Sequence, residues 1–234
     1  MKPISKLSSP ELKHEIEKFS WRCNDEIRAN IMKAMELSEE FHKGQMRPDG
    51  PHFKHALRAA VRCIQWGATD PDEIIAALLH DVPEDQSKRV VACFESVYSY
   101  AFSKNDSIIA RSLIIFGEMF NLKVMLNLTY LTNPDMNGLD SFTRNLIYTT
   151  HVEEIIKSGQ FCSRIKLADF FDNGLNLASI EDERIRKKLC AKYITVFPMF
   201  IEAVKENRIN VSGSKVQVLL ELGNAYDYVQ KQLS

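Results

Sequence analysis

Ala76-Ala77-Leu78-Leu79-His80-Asp81-Val82-Pro83-Glu84-Asp85 is the stretch that decides how this chain is read. An apolar helical run, opened by Pro71-Asp72-Glu73, ends on an imidazole beside a carboxylate, and two more carboxylates follow within about one turn. That is an unfavourable end for a buried helix unless a cation or a reacting group meets the charges. Pro83 lacks the amide proton of an interior helical residue, so the helix is expected to end or kink near Val82. Glu84 and Asp85 then stand at a helix–loop junction. Continued as helix, Asp81 would share a face with Glu84 and Asp85, three and four residues on, where like charges repel. A divalent cation, or a division into ligand and acid/base, relieves that repulsion.

Helical periodicity extends from this stretch in both directions. Ser9-Pro10-Glu11 has the composition of a helix start, and a second helix is expected over about 25–43, before Gly44. Gly44-Gln45-Met46-Arg47-Pro48-Asp49-Gly50-Pro51 is the clearest turn in the chain. Further helices are expected over 54–66, 108–120, 122–131, 141–157, 161–173, 183–206 and 213–232, with a less regular one over 87–103. A break is expected near Phe116-Gly117 or Asn121, and Asn133-Pro134-Asp135-Met136-Asn137-Gly138 reads as a surface turn. No stretch alternates convincingly as a strand. The expected fold is all-α, a single domain over 1–234 with its motif-bearing core at about 30–180 and C-terminal helices packed on it.

Lys+Arg is 30 and Asp+Glu is 31, a balance that gives no reason to expect nucleic acid or an anionic membrane as a partner. A polyanionic substrate must be met by a local basic cluster. The five cysteines are odd in number and no two have CxxC spacing, which suits reduced thiols in a cytoplasmic protein. No apolar run reaches transmembrane length, and Met1-Lys2-Pro3-Ile4-Ser5-Lys6 has no apolar signal region.

Other residues could join His80 and Asp81. His52 and His55 lie at a helix start, and residue chemistry alone does not separate them as metal ligands. Lys166, Asp169 and Asn173 are spaced three and four apart on one helical face, so Asp169 either pairs with Lys166 or faces a metal. Imidazoles with carboxylates make a mixed N/O site for Mn, Fe or Zn, with positions open to water. Metal binding would lower the pKa of that water and supply a nucleophile near neutral pH.

Phe41-His42-Lys43-Gly44-Gln45-Met46-Arg47, Pro51-His52-Phe53-Lys54-His55, the His80-Asp81 stretch, Phe116-Gly117, Leu131-Thr132 and Ile165-Lys166-Leu167-Ala168-Asp169 with Asn173 occur in this order. The series resembles the HD-domain hydrolase module of the RelA/SpoT homologues, and most closely their small alarmone hydrolases. The likeness covers about residues 30 to 180 and implies an all-α, Mn(II)-dependent enzyme, with Fe(II) or Zn(II) as alternatives. It implies hydrolysis of the ribose 3′-pyrophosphate of ppGpp and pppGpp to GDP and GTP. Related activities toward ppApp or NADPH, and a catalytically inactive nucleotide sensor, are the competing readings. By position, it makes His55, His80, Asp81 and Asp169 the metal ligands and Glu84 and Asp85 the pair that activates water. Arg47 matches an arginine packing on the base, Asn173 an asparagine contacting the nucleotide, and Lys166 is the basic residue expected beside it. His42 and Gln45 match the start of the loop before the site, in a supporting role. No alarmone synthetase or regulatory domain is expected in the remaining length.

Five departures from the family pattern stand out. Pro83 replaces an aliphatic residue, Gln86 a threonine, and Phe170 a basic residue after Asp169. About 30 residues, 86–115, separate the acidic pair from Phe116-Gly117, a longer stretch than the family's. Gly174-Leu175-Asn176 brings no basic residue after Asn173 either. Fewer cations would lower affinity for highly phosphorylated substrates.

Overall fold

The computed structural model describes residues 3–47, 50–159 and 161–234, with the side chains of Phe161 and Ser179 left aside. The expected turn at Pro48-Asp49 therefore lies outside the described residues. The fold is all-α, and its described strands are confined to one two-stranded ribbon. The chain divides into two compact units, one of residues up to Ile64 with Ala68–Thr132, the other of Gln65–Gly67 with Asn133–Ser234.

The first unit contains α1 (Ser9–Ser20), α2 (Asp25–Phe41), β1 (Met46–Arg47), β2 (Gly50–Pro51), α3 (His52–Gln65) and α4 (Pro71–Leu79). It continues with α5 (Val82–Asp85), α6 (Ser87–Tyr98), α7 (Ile108–Met119) and α8 (Leu122–Leu131). Caps fix the starts. Ser8 and Glu11 form a reciprocal capping box on α1, and the Asn24 and Asn121 side chains accept amide protons at the starts of α2 and α8. Every residue from Glu73 to Leu79 is buried, so α4 is a core helix on all faces.

Two elements of the first unit differ from the sequence expectation. α4 ends at Leu79, three residues before Val82, because Pro83 has no N–H to give the Leu79 carbonyl. The chain turns through His80 and Asp81 and restarts as α5. The expected loop at 44–51 also holds an antiparallel ribbon pairing Met46 with Pro51 and Arg47 with Gly50. Gly50 supplies the positive φ, 128°, that the return requires.

The long 86–115 stretch packs α6 against α7, with Val90 and Val91 buried. It also braces α2: the Arg89 guanidinium donates to the carbonyls of Phe41 (2.6 Å) and Glu40 (3.3 Å). A cation at a helix C-terminus satisfies carbonyls that lack intrahelical donors. The break near Gly117 or Asn121 falls at Asn121. Gly117 stays helical, and a Cβ there would come within 3.0 Å of the Met125 sulfur, so its lack of a side chain lets α7 and α8 close together.

The second unit contains α9 (Ser141–Ser158), α10 (Phe161–Gly174), α11 (Glu183–Tyr193), α12 (Val196–Lys205) and α13 (Lys215–Leu233). The expected single helix over 183–206 is two. Pro198 cannot donate to the Ile194 carbonyl, so the helix breaks at Ile194-Thr195, and Pro198 sits in the first turn of α12, where no donor is needed. α10 is buried on every side. Phe170 packs on Tyr193, Phe197 and Phe200 at ring separations of 5.4, 4.8 and 4.9 Å. A basic side chain in place of Phe170 would lie in that aromatic cluster at high desolvation cost.

Candidate active site

The break between α4 and α5 exposes chemistry that a continuous helix would hide. The His80 Nδ1–H donates to the Ala77 carbonyl at 2.9 Å, which turns Nε2 toward the α4–α5 break. That Nε2 lies 3.2 Å from His55 Nε2 and 3.2 Å from Asp81 Oδ1. Asp81 Oδ2 lies 3.5 Å from His55 Nε2. Donors about 2.1 Å from one cation stand about 3.0 Å apart at octahedral angles and about 3.4 Å apart at tetrahedral angles. The two imidazoles and the carboxylate therefore have the mutual spacing of ligands that can share a divalent ion. His55 is fully buried and His80 nearly so, in keeping with ligands shielded from water on all but the ion's side.

The structure separates the two histidines that sequence could not. His55 faces His80, whereas His52 is partly exposed and donates from Nε2 to Asp81 Oδ2 at 2.9 Å. His52 thus orients a carboxylate that touches the other two imidazoles. The signal that could have found it is the three-residue spacing from His55, which sets both on one face of the first turn of α3.

A further imidazole backs this arrangement. His42, at the end of α2, stacks on His52 with ring centroids 4.4 Å apart and planes 8° from parallel. Gln45 ties the pair together. Its side-chain oxygen accepts the His42 Nδ1–H at 2.5 Å, and its backbone carbonyl accepts the His52 amide at 3.0 Å.

Electrostatics follow from these contacts. Desolvation would raise the Asp81 pKa, but His80, the His52 hydrogen bond and His55 outweigh it and hold the carboxyl well below its ordinary value. Asp85 moves the other way, raised by desolvation and then by the charge of Asp81. Burial pushes His42 down to about 4, against the raising effect of Gln45, so this imidazole is neutral at physiological pH. Glu84 and Asp85 are exposed on α5, one turn beyond Asp81. Arg47 lies in β1, half-buried, opposite Gly50.

In the second unit, α10 carries the remaining predicted residues. Asp169 is buried, 3.2 Å from the Lys166 ammonium through Oδ2, and accepts from Asn173 Nδ2 at 2.6 Å through Oδ1. The two alternatives for Asp169 are thus joined by a third contact, because Asn173 also orients it. Arg164 anchors the helix, donating to the carbonyls of Trp66 (3.1 Å) and Asn210 (3.0 Å).

No protein-family model matches the chain. A curated Mycoplasma genitalium protein, named a probable guanosine-3′,5′-bis(diphosphate) 3′-pyrophosphohydrolase, is 31% identical over 198 residues, 82% of this chain and 24% of that protein. The like-named Mycoplasma pneumoniae protein is 30% identical over 133 residues, 53% of this chain and 18% of its own length. The chain is a relative of the RelA/SpoT homologues. A guanosine-3′,5′-bis(diphosphate) 3′-pyrophosphohydrolase of Aquifex aeolicus is 36% identical over 83 residues, 35% of this chain and 12% of that protein. The chain thus spans less than a quarter of the length of each of these relatives. A solved structure of a metazoan SpoT ortholog, described as hydrolysing ppGpp and playing a role in starvation responses, shares the fold. Its TM-score is 0.57 at 21% identity, covering 86% of this chain and 95% of that one. Among the described residues, no helix of this RelA/SpoT relative is long and apolar enough to cross a membrane.

Proposed function

We propose that this chain hydrolyses the 3′-pyrophosphate of guanosine alarmones, converting ppGpp and pppGpp to GDP and GTP with release of pyrophosphate. The observation that carries the reading is the convergence of His55, His80 and Asp81 at the α4–α5 break, with Glu84 and Asp85 one turn on. The names of the relatives supply the substrate class. A donor set of imidazoles and carboxylates fits a divalent transition metal. In this reading His55, His80, Asp81 and Asp169 hold it, and Mn(II) is the proposed ion, with Fe(II) or Zn(II) as alternatives. Bound there, the ion would supply Lewis acidity toward a phosphate oxygen and lower the pKa of water.

The chain's own residues do the rest. Glu84 and Asp85 orient the attacking water and take up its proton. His52 keeps the Asp81 carboxylate turned toward His55 and His80. Arg47 lays a planar guanidinium on the guanine base, a contact an ammonium does not reproduce. Lys166 and Asn173 fix Asp169 and present positive and hydrogen-bonding character to the phosphates. The proposed substrate is a small nucleotide met by these local cations. No nucleic acid or membrane partner is part of the reading, and the proposed location is the cytoplasm.

Product analysis tests it. ppGpp, pppGpp, ppApp and NADPH would each be incubated with Mn(II) and with wild type or Asp81→Ala, and the products separated by ion exchange. GDP plus pyrophosphate from ppGpp, absent with the variant, is the expected result. Orthophosphate from NADPH alone would replace the substrate, and equal turnover by Asp81→Ala would remove Asp81 from the site.

A further inference from the structure

His42, His52 and Asp85 each offer a ligand atom, all within 4.8 Å of one another, in the first unit. None of them belongs to the ligand set above. The decisive member is His42. It is only 2% exposed, and its Nε2 is buried with no hydrogen-bond partner among the described residues. A buried polar nitrogen left this way loses its hydration without compensation. Its other nitrogen is committed, because Nδ1–H donates to Gln45. That bond leaves a lone pair on Nε2, the arrangement typical of a histidine metal ligand with an outer partner on its second nitrogen. Asp85 adds a carboxylate, and its exposure leaves a path for an ion to enter.

We propose that His42, His52 and Asp85 form a second divalent transition-metal site beside the His55–His80–Asp81 centre. Two imidazoles and one carboxylate favour Zn(II), Fe(II) or Mn(II) over Mg(II) or Ca(II), which prefer oxygen-rich surroundings. Three protein ligands leave positions for water or a phosphate oxygen. The two sites are neighbours, since His52 also hydrogen-bonds Asp81 at 2.9 Å. Two adjacent cations are suited to clamping the attacking and leaving oxygens in phosphoryl transfer. The His42 and His52 rings are nearly parallel, so loading the site requires them to fan apart until their lone pairs converge. It also commits Asp85 to the ion and leaves Glu84 as the proton acceptor. That catalytic consequence rests on the proposed hydrolysis, whereas the binding claim stands without it.

The test is metal stoichiometry, read independently of turnover. Metal-stripped chain is dialysed against Mn(II), Zn(II) or Mg(II), and bound metal per chain is measured by mass spectrometry. Wild type should bind two Mn(II) or Zn(II), and Mg(II) should not fill the second position. His42→Phe, which keeps a ring against His52, should bind one. His52→Phe, at a partly exposed position, gives the same reading should His42→Phe not fold. One equivalent in wild type, or equal content in wild type and both variants, overturns the proposal. Two equivalents in a protein that leaves ppGpp intact would sink the hydrolase reading and keep the metal site.

Discussion

Lowering the pH from 7 to 5 should destabilise the metal-free chain through His42 in particular. Folding holds this imidazole at about 4, against an ordinary value of 6.5. Between those values the unfolded chain binds the proton and the folded chain does not, so stability falls as the pH drops. The linkage relation gives about 0.2 kcal/mol of loss already present at pH 7 and about 2.0 kcal/mol at pH 5, a difference of about 1.8 kcal/mol. The physical source is a ring buried against His52 that has no room for a second proton without losing its environment. The chain has six histidines, so the effect of His42 is read as a difference between two proteins. Urea unfolding at pH 7 and pH 5, with chelator present, would be measured for wild type and His42→Phe. The variant should lose about 1.8 kcal/mol less than wild type between the two pH values. Equal pH dependence in the two proteins would refute the burial argument.

Other substitutions probe the remaining roles. Glu84→Gln should retain the metal and lower kcat about 100-fold or more, and loss of metal in its place would make Glu84 a ligand. Arg47→Ala should weaken nucleotide binding about 10-fold at unchanged metal content, as measured by calorimetry, and unaltered nucleotide affinity would take Arg47 out of the site. Lys166→Met should cost about 3 kcal/mol in urea unfolding, because it removes the ammonium 3.2 Å from the buried Asp169 carboxylate, and a loss below about 1 kcal/mol would contradict that pairing.

How far the sequence could be read depended on the range of the signal. Pro83 and the apolar run before it pointed to a break at the His80-Asp81 stretch because a missing N–H is a local fact. Its position still slipped by three residues, since the lost bond acts on the Leu79 carbonyl and not on the proline itself. The ribbon at Met46–Pro51 was invisible because strands of two residues cannot show alternation. The split between α11 and α12 was missed although Pro198 marks it, because helical periodicity runs on through both. Burial of Arg164, Lys166, Asp169 and Asp172 along α10 was not legible at all, since charged residues normally signal a solvated face and only their partners make burial tolerable. At the candidate site, residue types singled out His80 and Asp81, but which of His52 and His55 faces His80 depends on which side of α3 is turned to the break. The stack of His42 on His52 joins residues across a turn, and no periodicity encodes it.

The most direct measurement is hydrolysis of ppGpp in H2(18)O with Mn(II), followed by mass spectrometry of both products. The account predicts unlabelled GDP and pyrophosphate carrying one atom of 18O, as attack of water on phosphorus requires. Label in GDP, release of orthophosphate, or no turnover at all would contradict it.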